Sequence, residues 1–205
     1  MRTLLLHCMF LLCSSFTFAQ DLTGLKDGDI VFIVNSQGQG RAIQLATHSK
    51  YTHVGIVFFE NGKPMVYHAV EPVMKSTLAE FISFSGDGRY EMRRLKDRSV
   101  LTDSVIRVMK KLATKELDKH YDLEFNWSDE EMYCSEYVWK IYKRALNIEV
   151  GQLKPLGSFD LSHPLVKEML EERYDGKIPL NEKMISPGDM FESELVEGAK
   201  AKTEF

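Results

Sequence analysis

The sequence contains little cysteine, with three among 205 residues, at positions 8, 13 and 134. The first two lie in an N-terminal segment, residues 1–19, that has the pattern of an export signal. Once this segment is removed, Cys134 has no partner for an internal disulfide. A fold held together by internal disulfides is therefore excluded, and the remaining thiol is available for packing or for chemistry.

The export signal is predicted from three features of residues 1–19. A positive charge at Arg2 precedes an apolar run, and the segment ends at Thr17-Phe18-Ala19, with small residues at the two positions that a signal peptidase reads. We predict cleavage after Ala19 and a periplasmic or extracellular location. The apolar run is short for a membrane span and is interrupted by His7, which argues against a retained anchor.

The rest of the chain lacks several other signals. It has no second hydrophobic run long enough to cross a bilayer, no internal repeat and no long linker, so we expect residues 20–205 to form a single domain. The balance of 26 Lys and Arg against 30 Asp and Glu provides no basic surface for nucleic acid. The histidines lack the short paired spacings of a zinc site, and we predict no cofactor. No feature fixes an oligomeric state.

Local patterns predict a mixture of strands and helices in an α+β order. Strands are expected at 29–34, 53–59, 64–70 and 91–95, and helices at 38–47, at 102–117 and in the segment that carries Cys134 to about residue 146. Ser128-Asp129-Glu130-Glu131 matches a capping box, so the last helix begins either there or at Cys134 itself. The C-terminal third shows no strong periodicity.

Two of the predicted strands form a hairpin with two histidines on one face. Asn61-Gly62 is a strong two-residue turn signal, and it fixes the register of the flanking strands. Because side chains alternate along a strand, His53 and His68 become diagonal neighbours on one face, with backbones roughly 7–8 Å apart. Glu71 points to the other face in this register. A bulge near Pro64 would reverse the assignment.

Each of these residues also has an ordinary structural explanation. A single histidine on a strand is usually solvated or packed, and Cys134 is in register with Val138, Ile141 and Ala145 on a helix face that would be buried. The functional interpretation depends on the combination. A thiol with a histidine beside it is sufficient for nucleophilic acyl transfer.

Several segments resemble, in their order along the chain, the YiiX/YebB-like group of permuted papain-fold proteins, relatives of the NlpC-type cell-wall peptidases and of lecithin retinol acyltransferase. The matching segments are Asp27–Val31, Tyr51–Val57, Val66–Val70, Tyr121-Asp122, Tyr133–Glu136 and Ile185–Met190. The resemblance implies an α+β, circularly permuted papain-like fold, in which a small antiparallel sheet packs on the cysteine-bearing helix.

The resemblance also implies roles for the candidate residues. Cys134 would be the nucleophile and His53 its base, and the third position of the triad falls on His68. Bacterial members of the group often carry glutamate at that position, whereas the acyltransferase relatives carry histidine. A neutral histidine orients the His53 ring but stabilises its positive charge less than a carboxylate does. The expected oxyanion donors are the Cys134 backbone N–H and the Tyr51 side chain.

The expected function is that of an exported cysteine hydrolase that cleaves an amide bond in cell-wall-derived or other short peptides. Lipid or ester acyl transfer, or thioester hydrolysis, at the same site is one alternative, and a catalytically silent ligand-binding module is another. The partner is then a small peptide or acyl substrate. A further arrangement has His163 or His120 serving Cys134. Tyr121 is expected to be a packing residue.

Overall fold

A computed structural model describes residues 24–199 of the chain. The predicted signal peptide, residues 1–19, and the start of the predicted domain at residue 20 lie outside the described residues. The helices are α1 Gln39–Thr47, α2 Leu78–Ser83, α3 Asp103–Lys115, α4 Cys134–Leu146, α5 Pro164–Tyr174 and α6 Pro187–Phe191. The strands are β1 Ile30–Ile33, β2 His53–Glu60, β3 Lys63–His68, β4 Met74–Thr77, β5 Tyr90–Leu95, β6 Lys154–Pro155, β7 Lys183–Met184 and β8 Val196–Gly198.

The main sheet has six antiparallel strands in the order β4-β3-β2-β1-β5-β8. The predicted hairpin is confirmed: β2 pairs with β3 through Ile56 opposite Tyr67 and Val57 opposite Val66. Asn61 has φ 51° and the following glycine φ 77°, as a two-residue turn that matches the strand twist requires. The turn therefore sets the register of the two histidine strands.

The sheet buries apolar side chains on both faces. On one face Phe32, Ile56 and their neighbours pack with α3 and α4 in the larger core. On the other face Val31 and Val57 pack with α2. Because side chains alternate along each strand, the sheet lies between α3 and α4 on one face and α2 on the other. The cysteine-bearing helix therefore packs on an antiparallel sheet, as the resemblance implied.

A buried carboxylate joins the first strand to its neighbour. Asp29 has no exposed surface, and both of its oxygens accept hydrogen bonds from Arg94 on β5, at 2.7 and 2.5 Å. The Lys26 backbone N–H donates to the same carboxylate at 2.8 Å. A buried charge is tolerated only when it is paired and hydrogen-bonded in this way. Asp29, in the segment Asp27–Val31 at the start of the domain, thus has a structural role.

Helix α4 begins at Cys134, the later of the two predicted positions. The Glu136 side chain accepts the Tyr133 backbone N–H at 3.3 Å, so the capping carboxylate comes from inside this helix. Ser128-Asp129-Glu130-Glu131 is separate from the helix. Lys140 of α4 holds this segment against the helix by donating to the Ser128 carbonyl and to the Asp129 carboxylate. The capping-box prediction at Ser128 was therefore wrong.

Helix α5 lies in the C-terminal third, where the sequence pattern predicted no periodic element. His163 precedes it and accepts the Leu165 backbone N–H at 3.2 Å, and Pro164 occupies its first position. Its buried side chains are Val166 and Leu170, four residues apart. These start signals were present in the sequence. None of the helices described between residues 24 and 199 has both the length and the apolar character to cross a bilayer.

Gly55 sits where the hairpin packs most closely against α2. A Cβ atom at this position would lie 2.5 Å from a Val66 methyl and 3.1 Å from the Phe81 ring. Both neighbours are completely buried and have little room to move. Phe81 also stacks on the His53 ring, at 5.3 Å between centroids. Because Gly55 has no side chain, Phe81 can lie close enough to the hairpin to stack on the His53 ring.

We expect Gly55→Ala to lower the free energy of unfolding by about 1–3 kcal/mol, the usual cost of overpacking a filled core. Urea unfolding at pH 7 measures this loss. Gly86→Ala is the matched control, because the nearest atom to its new Cβ would be 3.9 Å away, and it should change stability little. Equal stability of the two variants would contradict the close packing at Gly55.

Candidate active site

Cys134 is the first residue of α4 and lies against the end of the β2–β3 pairing. The regular pairing of the two strands begins only at Ile56 and Tyr67, so the Val54 backbone N–H has no partner in β3. That N–H faces the Cys134 sulfur and lowers the pKa of the thiol. The thiol therefore lies near the residue that follows His53 in β2, although only 3% of Cys134 is exposed.

Burial determines the protonation state of the thiol. It raises the pKa of Cys134 to about 11, and the hydrogen bonds from the Val54 and Ser135 backbone N–H groups offset only part of this rise. A helix N-terminus favours a thiolate, but here desolvation outweighs it. At neutral pH the cysteine is an uncharged thiol. In residues 24–199 no hydrogen bond joins its sulfur to the His53 ring, whose bond runs to His68 instead.

The two histidines meet as the hairpin register predicts. His53 Nε2 lies 2.9 Å from His68 Nδ1, and His68 Nε2 lies 2.9 Å from Ser76 Oγ on β4. Phe81 of α2 packs edge-on against the His68 ring, with centroids 5.0 Å apart, while it stacks on His53. Histidine, histidine and serine thus form one hydrogen-bonded line through three adjacent strands.

Both imidazoles are held in the neutral form. Burial lowers the pKa of His53 well below its usual value, and the nearby His68 lowers it further. Burial alone lowers the pKa of His68 to about 4. A carboxylate in the third position of the triad would favour a resting pair of thiolate and imidazolium. In this site both groups are therefore uncharged at neutral pH.

One tautomer assignment makes the line compatible with base catalysis. If His53 Nδ1 is to accept a proton, the neutral ring carries its hydrogen on Nε2 and donates to His68 Nδ1. His68 must then carry its own hydrogen on Nε2 and donate to Ser76 Oγ. In this assignment the Ser76 hydroxyl accepts from His68, and His53 Nδ1 is left as an acceptor.

Cys134 and His53 line two different depressions of the protein, and Tyr121 lines both. Cys134 lines an apolar cavity of about 60 Å³ between α1 and α5. His53 lines a groove together with Gln39, Glu71 and Leu123. The Tyr121 hydroxyl accepts a hydrogen bond of 3.4 Å from the Gln39 amide. Tyr121, which the sequence suggested was a packing residue, is therefore a wall of the site.

Glu71 also differs from its predicted position. The prediction that Glu71 points away from the histidines assumed that strand alternation continues beyond His68. In the structure β3 ends at that residue. Glu71 instead lines the His53 groove, where its carboxylate accepts the Tyr121 backbone N–H at 2.8 Å and contacts His120 Nδ1 at 2.9 Å. The carboxylate is exposed, and its recorded partners do not include His53.

The remaining candidates lie elsewhere. Tyr51 is buried and stacks on Phe191 with ring centroids 4.0 Å apart, and it lines a separate depression with charged residues of β5. His120 pairs with Glu71 at the surface, and His163 begins α5. None of these three residues lines the cavity at Cys134. The structure brings His53 and His68 into contact, and the Cys134 thiol lies near Val54, the residue that follows His53 in β2.

Two residues of the site had no role in the sequence prediction. Ser76 belongs to β4, whose sequence Met-Lys-Ser-Thr has no apolar alternation that would mark a strand. Phe81 follows in α2, a helix of six residues. The Thr77 and Glu80 pair, which forms the capping box of α2, was the available signal for this helix.

A helix that starts with cysteine, packed on an antiparallel sheet whose histidine strand comes earlier in the chain, defines a papain-like fold with permuted order. The sequence model described as "permuted papain-like amidase enzyme, YaeF/YiiX, C92 family" matches residues 24–197. The chain belongs to this family of cysteine amidases.

One relative is similar in sequence and another is similar in structure over most of its length. The protein YiiX of Escherichia coli strain K12, described as uncharacterized, is 42% identical over 168 residues, which are 82% of each chain. The crystal structure of yiiX from Escherichia coli O157:H7, described as a metalloprotein, has a TM-score of 0.82 and 40% identity, and the match covers 86% of this chain and 97% of that one.

We expect acid to weaken the folded state through His68. Its pKa is about 4 when folded and 6.5 when free, so between these values the unfolded chain binds more protons. The stability that the neutral ring contributes is complete above pH 6.5 and is lost as the pH falls toward 4. The full shift corresponds to about 3 kcal/mol.

Urea unfolding at pH 7 and pH 4.5 tests this, with His68→Asn compared with the wild type. Asp122 is buried with a pKa raised to about 6 and acts in the opposite direction, so only the difference between the two proteins isolates His68. The variant should lose less stability on acidification than the wild type does. The same substitution at His163 is the control. An unchanged pH dependence in His68→Asn would contradict the assignment.

Proposed function

We propose that this cysteine amidase uses Cys134 as its nucleophile and His53 as the base, with His68 and Ser76 orienting His53. The observations that carry the proposal are the hydrogen-bonded line from Ser76 through His68 to His53, and the position of the thiol near Val54, the residue that follows His53. These residues come from β2, β3, β4 and the start of α4. Four elements thus converge on one potential reaction centre.

The reaction begins from uncharged groups. As the Cys134 sulfur attacks the amide carbonyl, its proton passes to His53 Nδ1, because a thiol with a pKa of about 11 is not ionised beforehand. The S–C bond forms, and the carbonyl oxygen becomes an oxyanion. The Cys134 backbone N–H, the first of α4, has no partner within the helix and can donate to it.

The second half returns the proton. His53 protonates the leaving amine as the C–N bond breaks, and a thioester on Cys134 remains. Water then attacks the thioester with His53 again as base, which releases a carboxylic acid and restores the thiol. His68 accepts the Nε2–H of His53 throughout. Because His68 is neutral, it stabilises the transient imidazolium less than a glutamate would.

The proposed substrate is an amide of a short peptide. The amidase description of the family supports an amide bond. The groove beside His53 is bounded by Gln39, Leu123 and Glu71, and has room for the amine side of such a substrate. The sequence pattern of residues 1–19 supports action outside the cytoplasm.

We expect the first residue of the secreted protein to be Gln20, because the export pattern ends at Ala19. Expression of the full sequence in a Gram-negative host, followed by N-terminal sequencing of the periplasmic and culture fractions, measures this. Replacing Ala19 by a bulky residue should block processing, whereas Gln20→Ala should not. Full-length protein retained in the cytoplasm would contradict an exported enzyme.

The relative from Escherichia coli O157:H7 is described as a metalloprotein, so we compared the residues present here with a metal site. Among residues 24–199, no three His, Cys, Asp or Glu side chains converge as a ligand set. His53 and His68 use the nitrogens that face each other for their own hydrogen bond, and His68 uses its second nitrogen for Ser76. These residues do not fit a bound metal, and we assign no step to one.

One observation favours a second candidate, a ligand-binding module without turnover. An almost completely buried thiol with a raised pKa is typical of an unreactive core cysteine. Such a protein would keep the cavity and groove as a binding cleft. The two candidates differ in whether removal of the Cys134 sulfur abolishes a chemical activity.

We expect Cys134→Ala to abolish hydrolysis of p-nitroanilide amides of short acyl groups and peptides, and His53→Ala to lower kcat by roughly 10²–10⁴-fold. Ser76→Ala removes only the orienting hydroxyl, so its loss should be smaller than that of His53→Ala, with KM little changed. Release of p-nitroaniline measures each rate.

His163→Ala is the matched control and should keep wild-type activity, because His163 lies at the start of α5 and outside the line of hydrogen bonds. If His163→Ala abolished activity while His53→Ala did not, the unpermuted arrangement would be correct. Hydrolysis that persists in Cys134→Ala, or its absence in the wild-type protein over the whole panel, would refute the proposed mechanism.

A further inference from the structure

The apolar cavity beside Cys134 is separate from the groove that His53 lines. Its walls come from α1, from α5, from the first residues of α4 and from the segment before α6. All eighteen residues that line it have uncharged side chains, among them Ile43, Ala46, Val166 and Leu170. A charged group would find no counter-ion there and would have to lose its hydration.

Five hydroxyl groups line the cavity, those of Thr47, Tyr121, Tyr133, Ser135 and Ser186, and the three aliphatic ones donate to neighbouring oxygens. Ser135 Oγ donates to the Ile185 carbonyl at 2.7 Å, and Ser186 Oγ donates to the Asp189 carboxylate at 2.6 Å. The Thr47 hydroxyl donates to the Ile43 carbonyl within α1 at 2.8 Å. These groups are therefore occupied, and the cavity presents mainly hydrocarbon to an occupant.

The chemistry of acyl transfer assigns the two depressions to different parts of a substrate. The acyl part stays bonded to the Cys134 sulfur in the thioester, and the leaving group departs where His53 can protonate it. Cys134 lines the cavity but not the groove, and His53 lines the groove but not the cavity. The acyl part therefore enters the cavity, and the amine lies in the groove beyond Tyr121.

We infer that the substrate has a short, uncharged, apolar acyl group seated in this cavity. The cavity volume of about 60 Å³ is several times the roughly 10–15 Å³ that a cavity needs to hold one water molecule, so it admits a few such groups but not a long chain. This inference rests on the proposed amidase function and narrows it. It favours an apolar acyl group over the charged acyl groups of many cell-wall peptides.

The p-nitrophenyl esters of acetic, butanoic, hexanoic, dodecanoic and succinic acid test the inference on the wild-type protein. The thiol attacks the ester, the S–C bond forms, the C–O bond breaks, and p-nitrophenol leaves with the proton. We expect kcat/KM for butanoate to exceed that for acetate by roughly tenfold, since two more methylene groups are buried, and that for hexanoate, with four more, to exceed it by roughly a hundredfold. Succinate matches butanoate in chain length but carries a charge, and should be at least tenfold slower.

A cavity-filling variant provides a second test. Ala46→Leu places extra atoms in the cavity and should lower the ratio of the hexanoate rate to the acetate rate by about tenfold. Ala145→Leu is the matched control, because Ala145 is also a partly buried helix residue but does not line the cavity, and its ratio should stay unchanged. Should Ala46→Leu fail to fold, the ester series on the wild-type protein decides the question by itself.

Mass spectrometry of the Cys134 peptide separates failure of the inference from failure of the mechanism. Acylation of Cys134 with the predicted preference supports both. Acylation of Cys134 that is equally fast with succinate, or fastest with dodecanoate, would overturn the cavity assignment and leave the nucleophile in place. No Cys134 acylation by any ester would overturn the proposed mechanism and the inference together.

Discussion

The candidate site depends on the pairing of β2 with β3 and on where that pairing stops. The register of the paired region, continued past its end, brings His53 and His68 to one face and within hydrogen-bond distance. The pairing stops at Ile56 and Tyr67, which leaves the Val54 N–H without a partner in β3 and facing the Cys134 thiol. A register shift of one residue would separate the histidines and move the free N–H, so one constraint positions both halves of the site.

Burial gives this site its electrostatic character. Cys134 and His68 are buried and His53 is half-buried, and among residues 24–199 no carboxylate is hydrogen-bonded to any of them, so each is neutral at pH 7. A neutral site costs less to bury than an ion pair would. The consequence is that charge must develop during the reaction and not before it, and the proposed mechanism therefore depends on the orientation of His53.

Local patterns predicted the parts of the molecule that depend on nearby residues. The Asn61-Gly62 turn predicted the hairpin register, and β1, β2, β3, β5, α1 and α3 were found close to their predicted positions, whereas β4 and α2 were not predicted. The start of α4 was uncertain, because two segments before the helix resembled caps. The role of Ser76 and the position of Glu71 were not predicted, since both depend on where strands end and on packing between elements.

By itself, the sequence determined that Cys134 is the one cysteine outside residues 1–19 and that His53 and His68 share a face of the hairpin, because these follow from residue identity and strand alternation. Tertiary structure decided the environment of the thiol. Residues of α1, α4 and α5, far apart in the chain, enclose the cavity, and their burial of Cys134 raises its pKa. Desolvation and cavity shape arise from long-range packing, which no local pattern specifies.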